Sequence, residues 1–208
     1  VIEHADTRFM LVDAPGHVDF SAEAERTLQA LDYAILVVGA NDGVHGHTET
    51  LWRLLDRYGI PAFLFVNKMD LENPGLDAIA LELQHRLGEG CLDAKELLAK
   101  GPALEDAAAL DEQALEEYLD EESISLSTLC RLVRERALFP CFYGSALKDE
   151  GVAELLDGME KFIEERTWPV DFAARVYRVS HSERGERLAW LKVTGGVLRA
   201  KQPMEGVS

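Results

Sequence analysis

Short apolar runs and amphipathic stretches alternate along the first part of this chain. Phe9-Met10-Leu11-Val12 is an unbroken apolar run and predicts a buried strand, closed by the Pro-Gly turn in Asp13-Ala14-Pro15-Gly16-His17. Ala22 to Leu31 places Ala24, Leu28 and Leu31 on one face and predicts a helix. Tyr33 to Val38 (YAILVV) predicts a second buried strand, stopped by Gly39 and the Asn41-Asp42-Gly43 turn. Thr48 to Tyr58 predicts a helix with Leu51, Leu54 and Leu55 inward, and Gly59-Ile60-Pro61 breaks it. Phe63 to Val66 (FLFV) predicts a third strand, which runs into Asn67-Lys68-Met69-Asp70. Further on, Leu138 to Tyr143 (LFPCFY) predicts a fourth, ending in Gly144-Ser145-Ala146-Leu147, and Gly151 to Glu165 a helix.

Strands without polar alternation, separated by helices, predict an α/β fold: a mostly parallel sheet covered on both faces. Ligands of such sheets bind outside the carboxyl ends of the strands. The polar clusters at Asp13–His17 and Asn67–Asp70 both follow strand ends, so the pattern places them on one edge.

The stretch Leu76 to Arg136 departs from this rhythm. It is helical, poor in β-branched residues and acidic. From Phe172 the period changes to two: Phe172–Val179 and Leu188–Val193 predict strands joined across Ser180–Arg187. The expected organisation is therefore an α/β domain over 1–168 with a helical insertion at about 76–136. After it, 172–208 opens an antiparallel domain too short to close a sheet by itself.

Composition changes the picture in three ways. The chain has 208 residues and a formal charge of −17, which argues against a broad basic face for phosphate backbones. That excess is concentrated. Between Glu89 and Glu122 twelve acidic residues stand against two lysines, a net of −10. Two readings stand for this segment, a solvated helical face and a docking face for a basic partner. No apolar run approaches the roughly 18 residues of a membrane helix, so no membrane role is expected. Cys91, Cys130 and Cys141 form no CxxC pair and fit a reducing, cytoplasmic compartment.

The chemistry sits in the loops. An Asp at a strand end (Asp13) can hold Mg²⁺, often through water. A Gly soon after it (Gly16) lets a backbone N–H approach a phosphate, and a neighbouring His (His17) can orient a water. In Asn67-Lys68-Met69-Asp70 the carboxylate can accept two hydrogen bonds from guanine, the Asn amide can donate to the base and tie loops together, and the Lys stem can lie over the ring. Ser145-Ala146-Leu147 supplies small residues whose backbone N–H reaches a base carbonyl. Taken singly, each has a bland reading as a polar turn. Their order, each after an apolar strand, is what carries weight. His45-x-His47 lacks a third ligand nearby and is read as loop. Arg131, Arg134 and Arg136 are read as a solvated helix face.

On these residues the sequence resembles a translational GTPase of the elongation factor G type. Asp13-Ala14-Pro15-Gly16-His17-Val18-Asp19-Phe20 is similar to that family's DTPGHVDF, with Ala14 for the usual Thr. Asn67-Lys68-Met69-Asp70 resembles its guanine motif, and Gly144-Ser145-Ala146-Leu147 its third base loop. Arg187–Val193, Gly196-Val197-Leu198 and Leu138-Phe139-Pro140 resemble most the ribosomal-protection proteins of tetracycline resistance. The resemblance implies a P-loop-NTPase-like G domain, followed by the start of a β-barrel second domain. It also implies GTP or GDP and Mg²⁺ as ligands, and a ribosomal partner made of protein and rRNA, with the acidic insertion facing basic ribosomal protein. It gives Asp13 to Mg²⁺ through water, Gly16 to the γ-phosphate and His17 to the attacking water. Asn67, Lys68, Asp70, Ser145, Ala146 and Leu147 go to the base.

One part is missing. The chain holds no GxxxxGK[ST] and no Gly-Lys pair, so the phosphate cradle of such enzymes is absent. The Val1 start and the truncated second domain lead to the expectation of a fragment of a larger GTPase. Elongation factor G itself and a catalytically silent G-domain-like binding module are the alternatives.

Overall fold

A computed structural model describes residues 1–13, 27–164, 167–182 and 184–201. The chain divides into two compact units, Val1–Asp13 with Leu31–Glu164, and Ala14–Ala30 with Glu165–Ser208.

The first unit is built on a four-stranded sheet. Its strands are β3 (Ala34–Gly39), β4 (Ala62–Asn67), β5 (Cys91–Asp93) and β6 (Phe139–Tyr143), in the order β3-β4-β6-β5 and all parallel. Helices α1 (Gly46–Arg57), α2 (Leu76–Leu87), α3 (Ala94–Leu98), α4 (Ala103–Ala108), α5 (Glu112–Glu121), α6 (Leu126–Arg134) and α7 (Val152–Phe162) cover it. The fold is thus α/β, as the pattern of continuous apolar strands predicts.

β4 explains that pattern. Ala62, Phe63, Leu64 and Val66 have no solvent exposure, and Phe65 has 4%. Successive side chains point to opposite faces, so both faces of this strand are dry. On one face Phe63 meets Phe142 of β6 and Phe162 of α7, with ring centroids 6.4 and 6.5 Å apart, and Tyr33 at 5.8 Å. Insertion residues Leu97, Leu104, Leu132 and Val133 belong to the same core. On the other face Trp52 of α1 packs edge-on against Phe139 at 4.5 Å and donates its Nε1–H to Leu87 O at 2.7 Å, which joins α1 to α2.

Three sequence expectations change here. Phe9–Val12 is not a strand of the parallel sheet. The chain forms an antiparallel hairpin of β1 (Ile2–His4) and β2 (Thr7–Phe9), and Met10, Leu11 and Val12 are 76%, 54% and 43% exposed. Hairpin pairing across the Ala5-Asp6 turn is the more local alternative, and it uses Phe9 alone as core. His4 and Thr7 then tie the hairpin to α7 through Asp157 (2.6 Å) and Glu160 (2.8 Å). Second, the insertion is not purely helical. Cys91-Leu92-Asp93 adds the edge strand β5 beside β6, a segment too short to show periodicity. Third, the arginines are ion-paired rather than merely solvated, although Arg134 stays half-exposed. Arg131 pairs with Asp111 at 2.5 Å and with Glu135, and Arg134 pairs with Glu164. The Arg136 side chain is only 9% exposed; its guanidinium lies 5.2 Å from the rings of Trp52 and Phe139. Half of the helix expected at Ala22–Leu31, residues 22–26, lies outside the described residues.

The second unit holds an antiparallel hairpin of β7 (Ala173–His181) and β8 (Arg187–Gly195). Ser182 organises its loop: Ser182 N–H donates to Glu186 O, and Ser182 Oγ accepts from the N–H groups of Arg184 and Glu186. Val176, Val179, Leu188, Trp190 and Val193 stay exposed, as two strands alone bury little.

A substitution that empties the β4 core should cost far more than one at the surface. Phe63→Ala is expected to lower unfolding free energy by about 3–5 kcal/mol. Leu81→Ala, at a position 66% exposed, should stay within about 0.5 kcal/mol. Urea unfolding of both variants checks this, and similar midpoints would refute the placement of the core.

Candidate functional site

Three loops leave the carboxyl end of the sheet side by side. β3 and β4 end level, with Gly39 opposite Asn67. The loop after β3 is fastened to β4 by Ala40 N–H on Asn67 O at 2.8 Å. The loop after β4 is fastened to the loop after β6 by Met69 N–H on Gly144 O at 3.0 Å.

Asn67 is the joint. Its Oδ1 accepts from Lys68 N–H at 2.8 Å and from Ala146 N–H at 2.9 Å, across 79 positions of sequence. With Oδ1 engaged, Nδ2 is the part of this amide left to donate outward. Lys68 takes a left-handed backbone, φ 66°, a conformation uncommon outside Gly, Asn and Asp. Its ammonium reaches Asp42 Oδ2 at 2.9 Å. The Lys68 hydrogen bond is the main reason the Asp42 carboxyl lies below its ordinary range.

Asp70 follows two residues later. Its side chain is 11% exposed and faces the buried Ser145 hydroxyl, with Lys148 Nζ at 3.7 Å. The Ser145 contact falls outside strict hydrogen-bond geometry, yet this hydroxyl is the first cause holding the Asp70 carboxyl below its usual range, with Lys148 adding to it. Asp70 is therefore an ionised acceptor at neutral pH.

The loop after β6 is narrow. Ser145 N–H donates to Glu150 O at 2.9 Å and Glu150 N–H to Ser145 O at 3.0 Å. A Cβ on Gly144 would stand 2.1 Å from Glu150 O, so only glycine fits there. Ser145 is 1% exposed and Leu147 92% exposed. Ala146 N–H does not point outward; Asn67 holds it.

The structure thus brings together Asn67, Lys68, Asp70, Ser145, Ala146 and Leu147. Asp13 stands exposed at the end of the Met10–Val12 segment. Gly16 and His17 lie outside the described residues. Sequence reasoning did not single out Asp42 or Lys148. Asp42 carried a usable signal, since it follows a strand end on the same sheet edge; Lys148 carried none.

This constellation offers a carboxylate acceptor, an amide donor and an alkyl stem along one sheet edge. Such a set suits a flat heterocycle bearing adjacent N–H donors and a ring acceptor. The sequence profile of the elongation factor Tu GTP binding domain matches residues 1–165. The chain belongs to this family. The family is one of GTP binding domains. A solved crystal structure of a Thermus thermophilus protein is similar to the chain, with a TM-score of 0.73 and 24% sequence identity. The likeness covers 88% of this chain and 35% of that one, so the chain spans about a third of that protein's length. It supports the fold.

Whether the residues present fit the Mg²⁺ of a GTP site can be read from the donor set. Among the described residues no group of three or more His, Cys, Asp or Glu is placed to hold a metal. Asp13 contributes a single exposed carboxylate, and Mg²⁺ held by one carboxylate relies on phosphate and water for its other positions. The described residues do not form a Mg²⁺ site by themselves.

The state of Asp70 has a direct check. Its folded pKa is depressed, so the stability it contributes is present above the unfolded value of about 3.9 and is lost as pH falls through the lower folded value. An NMR titration of the Asp70 carboxyl should show its midpoint below the ordinary Asp range. Ser145→Ala should move that midpoint upward. A midpoint unmoved by Ser145→Ala would refute the assigned cause.

Proposed function

We propose that this chain is the base-reading part of a ribosome-associated translational GTPase, one that hydrolyses GTP to drive a conformational change on the ribosome. The observation that carries the reading is the Asn67 bridge. One amide binds the loops after β4 and β6 into a single edge, on which Asp70 also stands. On this edge Asp70 accepts the N1–H and exocyclic amino group of guanine. Asn67 Nδ2 donates to the ring, and the Lys68 stem lies over it. The Ser145 hydroxyl beside Asp70 holds its carboxyl below the usual range. Leu147 presents the backbone nearest the base carbonyl, and Ala146 serves the joint.

Toward the phosphates, Gly16 would supply a backbone N–H to the γ-phosphate, His17 would position the attacking water, and Asp13 would reach Mg²⁺ through water. Asp13 is the described residue that would hold Mg²⁺, which when bound would supply positive charge at the phosphates. Because the chain carries no GxxxxGK[ST] motif, it is expected on its own to bind GTP or GDP weakly and to hydrolyse neither appreciably. Residues 1–168 form the G-domain part, with the insertion at about 76–136, and 172–208 open a β-barrel second domain.

Resistance to tetracycline through ribosomal protection is the specific role we favour, on the resemblance of Arg187–Val193 and Leu138-Phe139-Pro140. Translocation, as in elongation factor G, is the second reading. The partner is the ribosome, and cytoplasmic work suits the three unpaired cysteines. Nine of the twelve acidic residues between Glu89 and Glu122 are exposed. Asp93, Asp111 and Glu117 instead cap helices or bind Ser125 and Thr128. These nine supply exposed negative charge that suits basic ribosomal protein. No helix among the described residues is long and apolar enough to cross a membrane.

The base assignment is tested by exchange of one atom. Asp70→Asn should reverse preference from GDP toward xanthosine diphosphate, by roughly tenfold or more, the scale of lost paired hydrogen bonds to a charged group. Isothermal calorimetry or NMR titration with both nucleotides reads it. An unchanged GDP preference would remove Asp70 from the site.

A further inference from the structure

We propose that Asp42 is a positioning residue of the base site: it anchors the Lys68 ammonium so that the lysine stem forms a fixed apolar ledge for the base. The inference rests on the base-site reading above and adds a residue from a third loop to it.

The loop after β3 is built to present this carboxylate. Asp42 N–H and Gly43 N–H both return to Gly39 O, at 3.1 and 2.8 Å, which closes a tight turn. The carboxylate folds back over Gly39, where a Cβ would lie 2.8 Å from Asp42 Oδ2. Gly43 has φ 72°, a left-handed conformation. Glu82 of α2 then pins the far side of the turn by accepting from Val44 N–H at 2.9 Å. Both carboxylate oxygens have partners: Oδ1 accepts from Asn41 Nδ2 at 3.1 Å and Oδ2 from Lys68 Nζ at 2.9 Å.

The other end of the lysine is equally fixed. Asn67 Oδ1 holds the Lys68 N–H, and the backbone is left-handed there. The stem is therefore stretched between two anchors along the edge where Asn67 and Asp70 stand.

Stability does not account for this pair. The side chains are 48% and 43% exposed, and ion pairs in water contribute little to folding. What the pair does supply is order. A free lysine stem must be immobilised when a base stacks on it, and that cost is removed when the stem is already held.

The experiment is a double-mutant cycle on the whole chain, with GDP as probe and ADP as control, read by NMR titration beside thermal melts. Asp42→Ala should weaken GDP binding roughly two- to tenfold, with no change in melting temperature. Asp42→Glu should recover part of the loss. In a Lys68→Met background, Asp42→Ala should cause no further loss, because nothing remains to be anchored. Equal losses in both backgrounds, undiminished GDP binding by Asp42→Ala, or a lowered melting temperature would each overturn the inference alone. A native chain with no preference for GDP over ADP would overturn the base-site reading and this inference with it.

Discussion

Complete burial of β4 is the constraint on which the rest depends. β3 and β6 flank it in the sheet, and a strand dry on both faces requires helices covering both sides. Parallel neighbours then put three loops at the same end. The polar residue that terminates β4 emerges between the other two loops because of where the strand sits. Asn67 can reach Ala146 only because Leu64–Val66 is in register with Cys141–Tyr143.

The electrostatics of this edge differ from those of the chain. A formal charge of −17 describes a surface dominated by the insertion. At the sheet edge Asp42 is paired with Lys68, and Asp70 has the Ser145 hydroxyl beside it and Lys148 nearby. Both are held below their ordinary pKa range by these neighbours. The carboxylates stay charged at neutral pH, yet only Asp70 is placed to accept from a ligand, since the oxygens of Asp42 are already engaged.

The core strands were legible because burial on two faces leaves an unmistakable run of apolar residues, as in YAILVV and FLFV. The base loops were legible because polar residues break such runs abruptly. Phe9–Val12 misled for a physical reason: an apolar run states that a segment is hydrophobic, not which strand it pairs with, and a local hairpin took Phe9 alone. Cys91–Asp93 has three residues, too few to establish a period of two. The arginines of α6 and its C-terminal turn were misread because pairing partners such as Asp111 and Asp56 lie far off in sequence.

Asp42 shows the same limit within the site. Its turn was visible as Asn-Asp-Gly, but its partner lies 26 positions away and belongs to another loop. A turn sequence specifies backbone shape, and tertiary register decides what the turn's side chain meets. Since Gly39 lies opposite Asn67, an Asp three residues past Gly39 falls beside a Lys one residue past Asn67. The contact follows from the parallel register of β3 and β4. A change that slipped this register by one residue would separate Asp42 from Lys68 and Ala40 from the Asn67 carbonyl together. The ladder that builds the core therefore also sets the geometry of the edge.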